Sequence, residues 1–298
     1  MMKEYIDDYI NYIRTIRNYS NFTETNYLLD LDNYEDYLKK NKINFKNIKY
    51  QDITNYNKYL KEELNLSSSS LSRHLSTLRS FYNYLLSEGI IDSNPFKLVS
   101  SPKKVQKLPN YMKYNEFEEM VNVCENNPLG IRNKCLLEVL LATGARISEI
   151  INIKLKDMDL SNQEIKVLGK GNKERIVFIN EHAVDSINDY LNNSRNILLG
   201  NKQSDKLFIN HIGGDLTDRG VRTILDNIIK QSSLNIKVTP HMFRHTFATM
   251  LLNEGCDLKS VQELLGHVNM STTQIYTHLT GDYIKEMYLH THPRSKDK

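Results

Sequence analysis

The hydrophobic positions of the first hundred residues recur at the three- and four-residue spacing of amphipathic helices. This spacing is clear over residues 5–16, and it predicts further helices over about 25–40 and 53–64. The strongest amphipathic segment follows the serine run at 67–70. One of these serines can cap the helix at its start, and Gly89 can end it. The pattern therefore predicts an all-helical first part of the chain.

The second part of the chain mixes helical and strand-like patterns. The segment EIKVLGKGNKERIVFI predicts two short strands around a tight turn at 170–173, and LFIN at 207–210 predicts another strand. A helix that is capped by Thr239, opened by Pro240 and ended by Gly255 has clear start and stop signals. Other helices are expected over about 115–125, 130–143, 181–192, 218–230, 258–265 and 272–278.

A segment without helical periodicity separates these two parts. Residues 100–110 (SSPKKVQKLPN) contain two prolines and three lysines. We therefore predict a linker at 101–110 between a helical domain at 1–100 and a second domain at 111–298. The expected fold class is mainly α with a small β-sheet.

Composition narrows the class of protein without identifying it. The chain has 298 residues, of which 40% are hydrophobic and 25% charged, as in soluble globular proteins. Its formal charge is +3, with 16 basic and 13 acidic residues up to position 110 and 23 of each sign after it. Totals this balanced mean that any DNA-binding surface must come from the placement of the charges.

Cysteine usage and hydropathy predict a cytoplasmic protein. Cys124, Cys135 and Cys256 form no CxxC pair, so we expect reduced thiols in helical segments. The N-terminus is charged throughout and lacks the apolar run of a signal peptide. The best apolar run, at 135–142, is short and interrupted by Glu138, so no membrane partner is expected.

Four short motifs carry the candidate chemistry. They are ATGARISEI (142–150), GKGNKER (169–175), HMFRHTFA (241–248) and LLGHVNMSTTQIYTH (264–278). One of them alone would be a weak signal, but all four occur in order and with consistent spacing. Together they resemble the tyrosine recombinase (phage integrase) family, in particular the Xer-type site-specific recombinases.

The resemblance implies six catalytic residues, a fold and a reaction. A helical core-binding (SAM-like) domain and a catalytic domain would form a C-shaped clamp around DNA. The enzyme would cleave and rejoin DNA strands through a 3′-phosphotyrosine intermediate. The residues that match the family's catalytic positions are Arg146, Lys170, His241, Arg244, His267 and Tyr276.

The physical chemistry of phosphodiester attack suits these residue types. Arg146 and Arg244 can donate paired hydrogen bonds to the non-bridging oxygens, where negative charge grows in the transition state, and His267 can add a third anchor. Tyr276 must lose its proton to attack, and the imidazole of His241 can accept it. Lys170 can protonate the leaving 5′-oxygen. Since the covalent link keeps the energy of the broken bond, no cofactor or metal is expected.

Further residues are candidates for DNA contacts. Arg73, His74 and Arg79 lie on the helix that follows the serine run, which the family places along DNA. An ordinary solvated helix face is the alternative. Lys173 in the hairpin is either a solvated charge or a phosphate contact.

His241 and His245 lie four residues apart on one predicted helix, as a pair of zinc ligands would. However, Met242 stands where the metalloprotease motif requires Glu. We therefore expect His245 to be a structural histidine packed beside the catalytic ones.

The resemblance also implies partners. We expect double-stranded DNA with two inverted half-sites and a homo- or hetero-tetramer on synapsed DNA. Whether a second recombinase or a DNA translocase takes part stays open. We also expect the tail beyond about residue 280 to dock on a neighbouring protomer through its apolar side chains, namely Tyr283, Ile284, Met287 and Tyr288.

Two other functions remain as alternatives. One is a DNA-binding architectural protein with vestigial catalytic residues, although the complete set of six argues against it. The other is a strand-passage enzyme of the type IB topoisomerase kind, which shares the chemistry but needs no synapsis.

Overall fold

The structure is a computed structural model, and it describes residues 2–17, 19, 21–99, 111–169, 173–266 and 279–296. The chain divides into two compact units, Met1–Lys107 and Leu108–Lys298. The first unit is built around one hydrophobic cluster, and the second contains two. The predicted linker at 101–110 lies outside the described residues.

Described residues of the first unit form helices only, as the hydrophobic spacing predicted. The last of these helices begins after Ser67, whose side chain accepts a hydrogen bond of 3.2 Å from the backbone N–H of Ser70. The serine run is therefore a helix start, as predicted. The helices are α1 (Met2–Thr15), α2 (Asn21–Lys40), α3 (Tyr50–Glu62) and α4 (Ser68–Ser87), with a 3-10 turn at Phe45–Asn47.

Buried aromatic rings fill the centre of the first unit. Tyr34 and Tyr82 are both fully buried, and their hydroxyl groups lie 3.1 Å apart. Burying a phenol is favourable when its hydroxyl group finds a polar partner. The spacing of tyrosines along the helices thus reflects a packed core.

The second unit is mainly helical with a small sheet. Its described strands, β1 (Met158–Asp159), β2 (Glu164–Leu168) and β3 (Glu174–Phe178), are antiparallel in the order β1-β2-β3. Leu168 pairs with Glu174 at the hairpin end, so the predicted hairpin is confirmed. The tip, 170–172, lies outside the described residues.

The helices of the second unit surround one buried helix. That helix, α6 (Pro128–Thr143), is buried over almost its whole length after its first turn, which explains its apolar composition. The others are α5 (Tyr114–Asn122), α7 (Ile147–Ile150), α8 (Glu181–Tyr190), α9 (Asn196–Leu199), α10 (Asp218–Gln231), α11 (Pro240–Asn253), α12 (Leu258–Leu265), α13 (Leu279–Thr291) and α14 (Pro293–Lys296); a π-helical turn (Leu191–Arg195) joins α8 to α9.

Two sequence predictions for this unit need comment. Residues 207–210 do not form the predicted strand, because Ile209 makes only an isolated bridge with Asp215 while Leu207 and Phe208 are buried in the core. The predicted helix at 272–278 lies outside the described residues.

Helix α13 packs on the second unit of its own chain. Ile284 and Tyr288 are buried in one cluster with Phe247 and Leu251 of α11. The prediction that they dock on a neighbouring protomer is wrong for these two residues, because their own chain already covers them. Tyr283 is 52% exposed.

Within the described ranges, no helix is long and apolar enough to cross a membrane.

Candidate active site

Arg146 stands at the start of α7, directly after the turn that ends α6. Gly144 makes that turn with a left-handed φ of +55°, and a side chain there would lie 2.5 Å from the ring of Phe247. The backbone N–H of Arg146 donates to Glu149 Oε2 at 2.7 Å, and Nη1 donates to Oε1 at 3.0 Å. The Arg146 side chain is 37% exposed, so most of its guanidinium N–H groups can still reach a ligand.

Arg244 lies in the first turns of α11 and connects two of the sequence motifs. The helix begins at Pro240, after Thr239 accepts a capping hydrogen bond from Met242. The Arg244 side chain donates from Nη1 to the carbonyl of Gly144 at 2.9 Å and from Nη2 to the carbonyl of Leu265 at 2.6 Å. Three N–H groups of the guanidinium are not used by these two bonds.

His241 lies one turn before Arg244 on the same helix and is exposed. An exposed imidazole at this place can exchange a proton with a bound substrate. His245 is also exposed, so the expectation that it packs as a structural histidine is wrong. In the part of the chain that the structure describes, no group of three or more His, Cys, Asp or Glu could hold a metal ion.

A buried ion pair that our sequence analysis missed lies beside Arg146. Glu149 is 2% exposed and receives two hydrogen bonds from Arg175 of β3, Nη1 to Oε1 at 2.6 Å and Nη2 to Oε2 at 2.9 Å. Both residues stand within quoted motifs, in ATGARISEI and GKGNKER. Neither residue matches one of the family's six catalytic positions, so the expected reaction gave no reason to select Glu149 or Arg175.

The electrostatics favour an anion at this place. Burial would raise the pKa of Glu149, but hydrogen bonds from Arg175 and from the Arg146 backbone outweigh it and hold the pKa below its usual value. Burial, followed by the charges of Arg146 and Arg175, lowers the pKa of Arg244 to about 10. The guanidiniums of Arg146 and Arg175 contact the Glu149 carboxylate, and that of Arg244 is close enough for its pKa to be affected by all three. The four side chains together carry two excess positive charges.

Lys170, His267 and Tyr276 lie outside the described residues, but the chain on either side of them is described. The N–H of Gly169 donates to the carbonyl of Lys173 at 2.8 Å, which joins the last described residues of the two hairpin strands. Gly266 ends α12 with φ +66°, and a Cβ there would lie 2.9 Å from Arg175 Cδ. Gly266, the last described residue before His267, is therefore packed against the Arg175 side chain.

The candidate DNA contacts of the first unit need correction. His74 is 2% exposed, and its Nε2 lies 2.8 Å from Oδ1 of the fully buried Asp30, so it is a core residue and cannot contact DNA from this position. Sequence spacing did not reveal this because Asp30 lies on a different helix.

The two arginines of that helix are largely engaged within the unit. Arg73 forms an ion pair with Asp30 and is 36% exposed. Arg79 donates to the carbonyls of Phe96 and Val99, so it anchors the end of the unit. Lys173 in the second unit is exposed.

The guanidiniums of Arg146 and Arg244, the excess positive charge and an exposed imidazole one turn from Arg244 form an arrangement that can bind a phosphate group. The sequence signatures agree. Residues 110–282 match the phage integrase family, and residues 6–89 match the phage integrase N-terminal SAM-like domain. The chain belongs to the phage integrase family, the tyrosine recombinases.

The similarity to known recombinases covers nearly the whole chain. It is 43% identical over 291 residues to the tyrosine recombinase XerC of Anoxybacillus flavithermus, covering 96% of this chain and 97% of that one. It is 41% identical over 303 residues to the tyrosine recombinase XerC of Bacillus subtilis, covering 100% and 99%.

A solved structure agrees. The XerH site-specific recombinase bound to a palindromic difH substrate, a post-cleavage complex, has a TM-score of 0.70 at 26% identity over 91% of this chain and 80% of that one. This chain is therefore an Xer-like site-specific recombinase, an enzyme that cleaves and joins DNA strands, and the expected family and fold class are confirmed.

Proposed function

We propose that this recombinase acts on double-stranded DNA through six residues: Arg146, Lys170, His241, Arg244, His267 and Tyr276. The observation that carries the proposal is the placement of Arg146 and Arg244. Glu149 holds Arg146, and the carbonyls of Gly144 and Leu265 hold Arg244. Both guanidiniums keep further N–H groups for a ligand. Such preorganised donors stabilise a transition state because they need no rearrangement when its charge develops.

The proposed cleavage step needs no cofactor, because side chains of the protein supply and accept every proton. The phenolic oxygen of Tyr276 attacks the scissile phosphorus, and its proton passes to His241. The bond from phosphorus to the 5′-oxygen breaks, and Lys170 supplies the proton that leaves a free 5′-hydroxyl. His267 and the two arginines hold the non-bridging oxygens. The 5′-hydroxyl of a second strand then attacks the 3′-phosphotyrosine, which reverses each proton transfer and releases Tyr276.

Strand exchange needs two sites and a suitable assembly. We infer that the target contains two inverted half-sites and that four protomers bring two duplexes together. The whole-length similarity to XerC proteins supports site-specific recombination. Two roles use these same steps and stay open, namely dimer resolution of chromosomes or plasmids and integration or excision of a mobile element. Exposed Lys173 is proposed to contact a phosphate near the hairpin.

Cleavage can be tested with a nicked duplex that loses its 5′-hydroxyl fragment after attack. Wild-type protein should accumulate a covalent complex, and Tyr276→Phe should form none while binding DNA with unchanged affinity. Arg146→Ala and Arg244→Ala should each slow cleavage by about 10²–10³-fold, the usual effect of removing one oxyanion donor. Equal trapping in wild type and Tyr276→Phe would contradict the proposal.

Two-site assays separate the alternative functions. Recombination between two target sites is expected and excludes strand passage without synapsis. Supercoil relaxation with no recombinant product would favour a topoisomerase-like enzyme. Binding without any covalent complex would favour an architectural protein.

A further inference from the structure

Arg175 occupies the place where the described parts of three motifs meet. Its side chain is 18% exposed and lies between Glu149 on one side and Gly266 on the other. The Nε atom is buried, and no partner for it is present among the described residues. Gly266 has room for no side chain here, because a Cβ would lie 2.9 Å from both Cδ and Nε of Arg175.

The charges explain why Glu149 needs Arg175. Glu149 is buried and ionised, and a buried carboxylate without a cation beside it is strongly unfavourable. Arg146 gives this carboxylate one side-chain hydrogen bond, whereas Arg175 gives it two in a bidentate pair. Without Arg175, Arg146 would become the main counter-ion of Glu149 and would turn towards it, away from the DNA phosphate.

We propose that Arg175 is a positioning residue of the reaction. It neutralises Glu149 so that the guanidinium of Arg146 stays available to the scissile phosphate. This inference rests on the proposed role of Arg146. Lysine cannot replace Arg175, because a single ammonium group cannot bond both carboxylate oxygens in the same geometry.

A double-mutant cycle tests the coupling to Arg146. Single-turnover cleavage of the nicked duplex is measured for wild type, Arg175→Lys, Arg146→Lys and the double variant. Arg175→Lys should slow cleavage on the order of tenfold to a hundredfold, the scale of a small misplacement of a catalytic group. In the Arg146→Lys background the same change should slow cleavage less than about threefold, because the group that Arg175 positions is already lost.

A matched control tests whether any arginine-to-lysine change slows cleavage. Arg222→Lys alters an exposed ion pair with Asp218 and should leave the cleavage rate unchanged. Thermal melting and DNA affinity of Arg175→Lys should stay near those of wild type. A full and equal slowing in both backgrounds, or a wild-type rate for Arg175→Lys, would overturn the inference. A wild-type rate for Arg146→Ala would instead overturn the proposed function.

A second variant serves if Arg175→Lys does not fold. In Gly266→Ala the added Cβ would clash with the Arg175 side chain and displace it. Gly89→Ala is the control, because Gly89 has nearly the same φ, +69° against +66°, with open space around it. Gly266→Ala should slow cleavage, and this effect should largely vanish in the Arg146→Lys background. Equal slowing in both backgrounds would count against the positioning role.

Discussion

At the scale of single residues, the carbonyl oxygen of Gly144 shows how the backbone places a catalytic side chain. Gly144 ends α6 in a left-handed conformation that glycine adopts without strain, and its carbonyl accepts Nη1 of Arg244. The residue two positions later is Arg146. One tight turn therefore sets the positions of both arginines.

Replacing Gly144 by alanine should damage both stability and catalysis. The left-handed φ costs an alanine about 1–2 kcal/mol, and the contact with Phe247 adds about 1–3 kcal/mol. Gly89→Ala is the control, because Gly89 also follows the end of a helix with a left-handed φ, +69°, but has open space around it. Urea unfolding and single-turnover cleavage should show a larger loss of stability for Gly144→Ala and a slower reaction for this variant alone. Equal behaviour of the two variants would refute the explanation.

Residue type and spacing identify candidate catalytic positions, but they do not predict burial. Arg146, His241 and Arg244 were identified because their motifs are specific, and the structure gives each an accessible position. His74 was misjudged because its partner, Asp30, is 44 residues away in the chain. Long-range ion pairs of this kind leave no local signal in one sequence, and Glu149–Arg175 is a second example.

At the scale of elements, the C-terminal tail is an anchored part of the catalytic unit. His292 is fully buried after α13, where in its neutral form Nε2 donates to the Leu141 carbonyl and Nδ1 accepts from Asn180. Arg294 in α14 forms a buried ion pair with Glu138 of α6. The tail thus packs against the central helix of the unit.

This burial predicts a pH-dependent stability. Burial lowers the pKa of His292 to about 4, against about 6.5 in an unfolded chain. The unfolded state therefore binds more protons between these values, so the stabilisation is present above pH 6.5 and is lost as the pH falls towards 4. Between pH 7.5 and 5 the contribution to the free energy of unfolding should fall by about 2 kcal/mol.

The measurement is urea unfolding of wild type and His292→Gln over this range. The variant should lose stability less steeply than wild type as the pH falls. His290→Gln is the control, because His290 is 74% exposed, and it should keep the wild-type slope. Parallel slopes for wild type and His292→Gln would show that burial of this imidazole does not control the pH dependence.

Elements were predictable where their hydrophobic period was complete. The helices of the first unit and the β2–β3 hairpin follow the sequence pattern closely. The segment 207–210 looks like a strand because it is apolar, but its apolar side chains are buried in the core and its backbone pairs only through the isolated bridge between Ile209 and Asp215. Burial and strand pairing produce the same apolar run, and the sequence alone cannot separate them.

At the scale of the whole molecule, two units with separate cores correspond to two family signatures. The SAM-like match at 6–89 falls within Met1–Lys107, and the integrase match at 110–282 falls within Leu108–Lys298. The net charge of the chain is small, yet three arginines and only one carboxylate, Glu149, lie together in the second unit. The positive charge at this site therefore comes from where the charged residues are placed, as expected from the nearly equal numbers of basic and acidic residues.

The central claim is that one phenol, Tyr276, becomes covalently joined to DNA at this cationic site. Digesting the trapped complex and sequencing the DNA-linked peptide by mass spectrometry identifies the attached residue directly. The account predicts a 3′-phosphate ester on Tyr276 and none on Tyr283, the half-exposed tyrosine of α13. Attachment to Tyr283, or to any other residue, would contradict it.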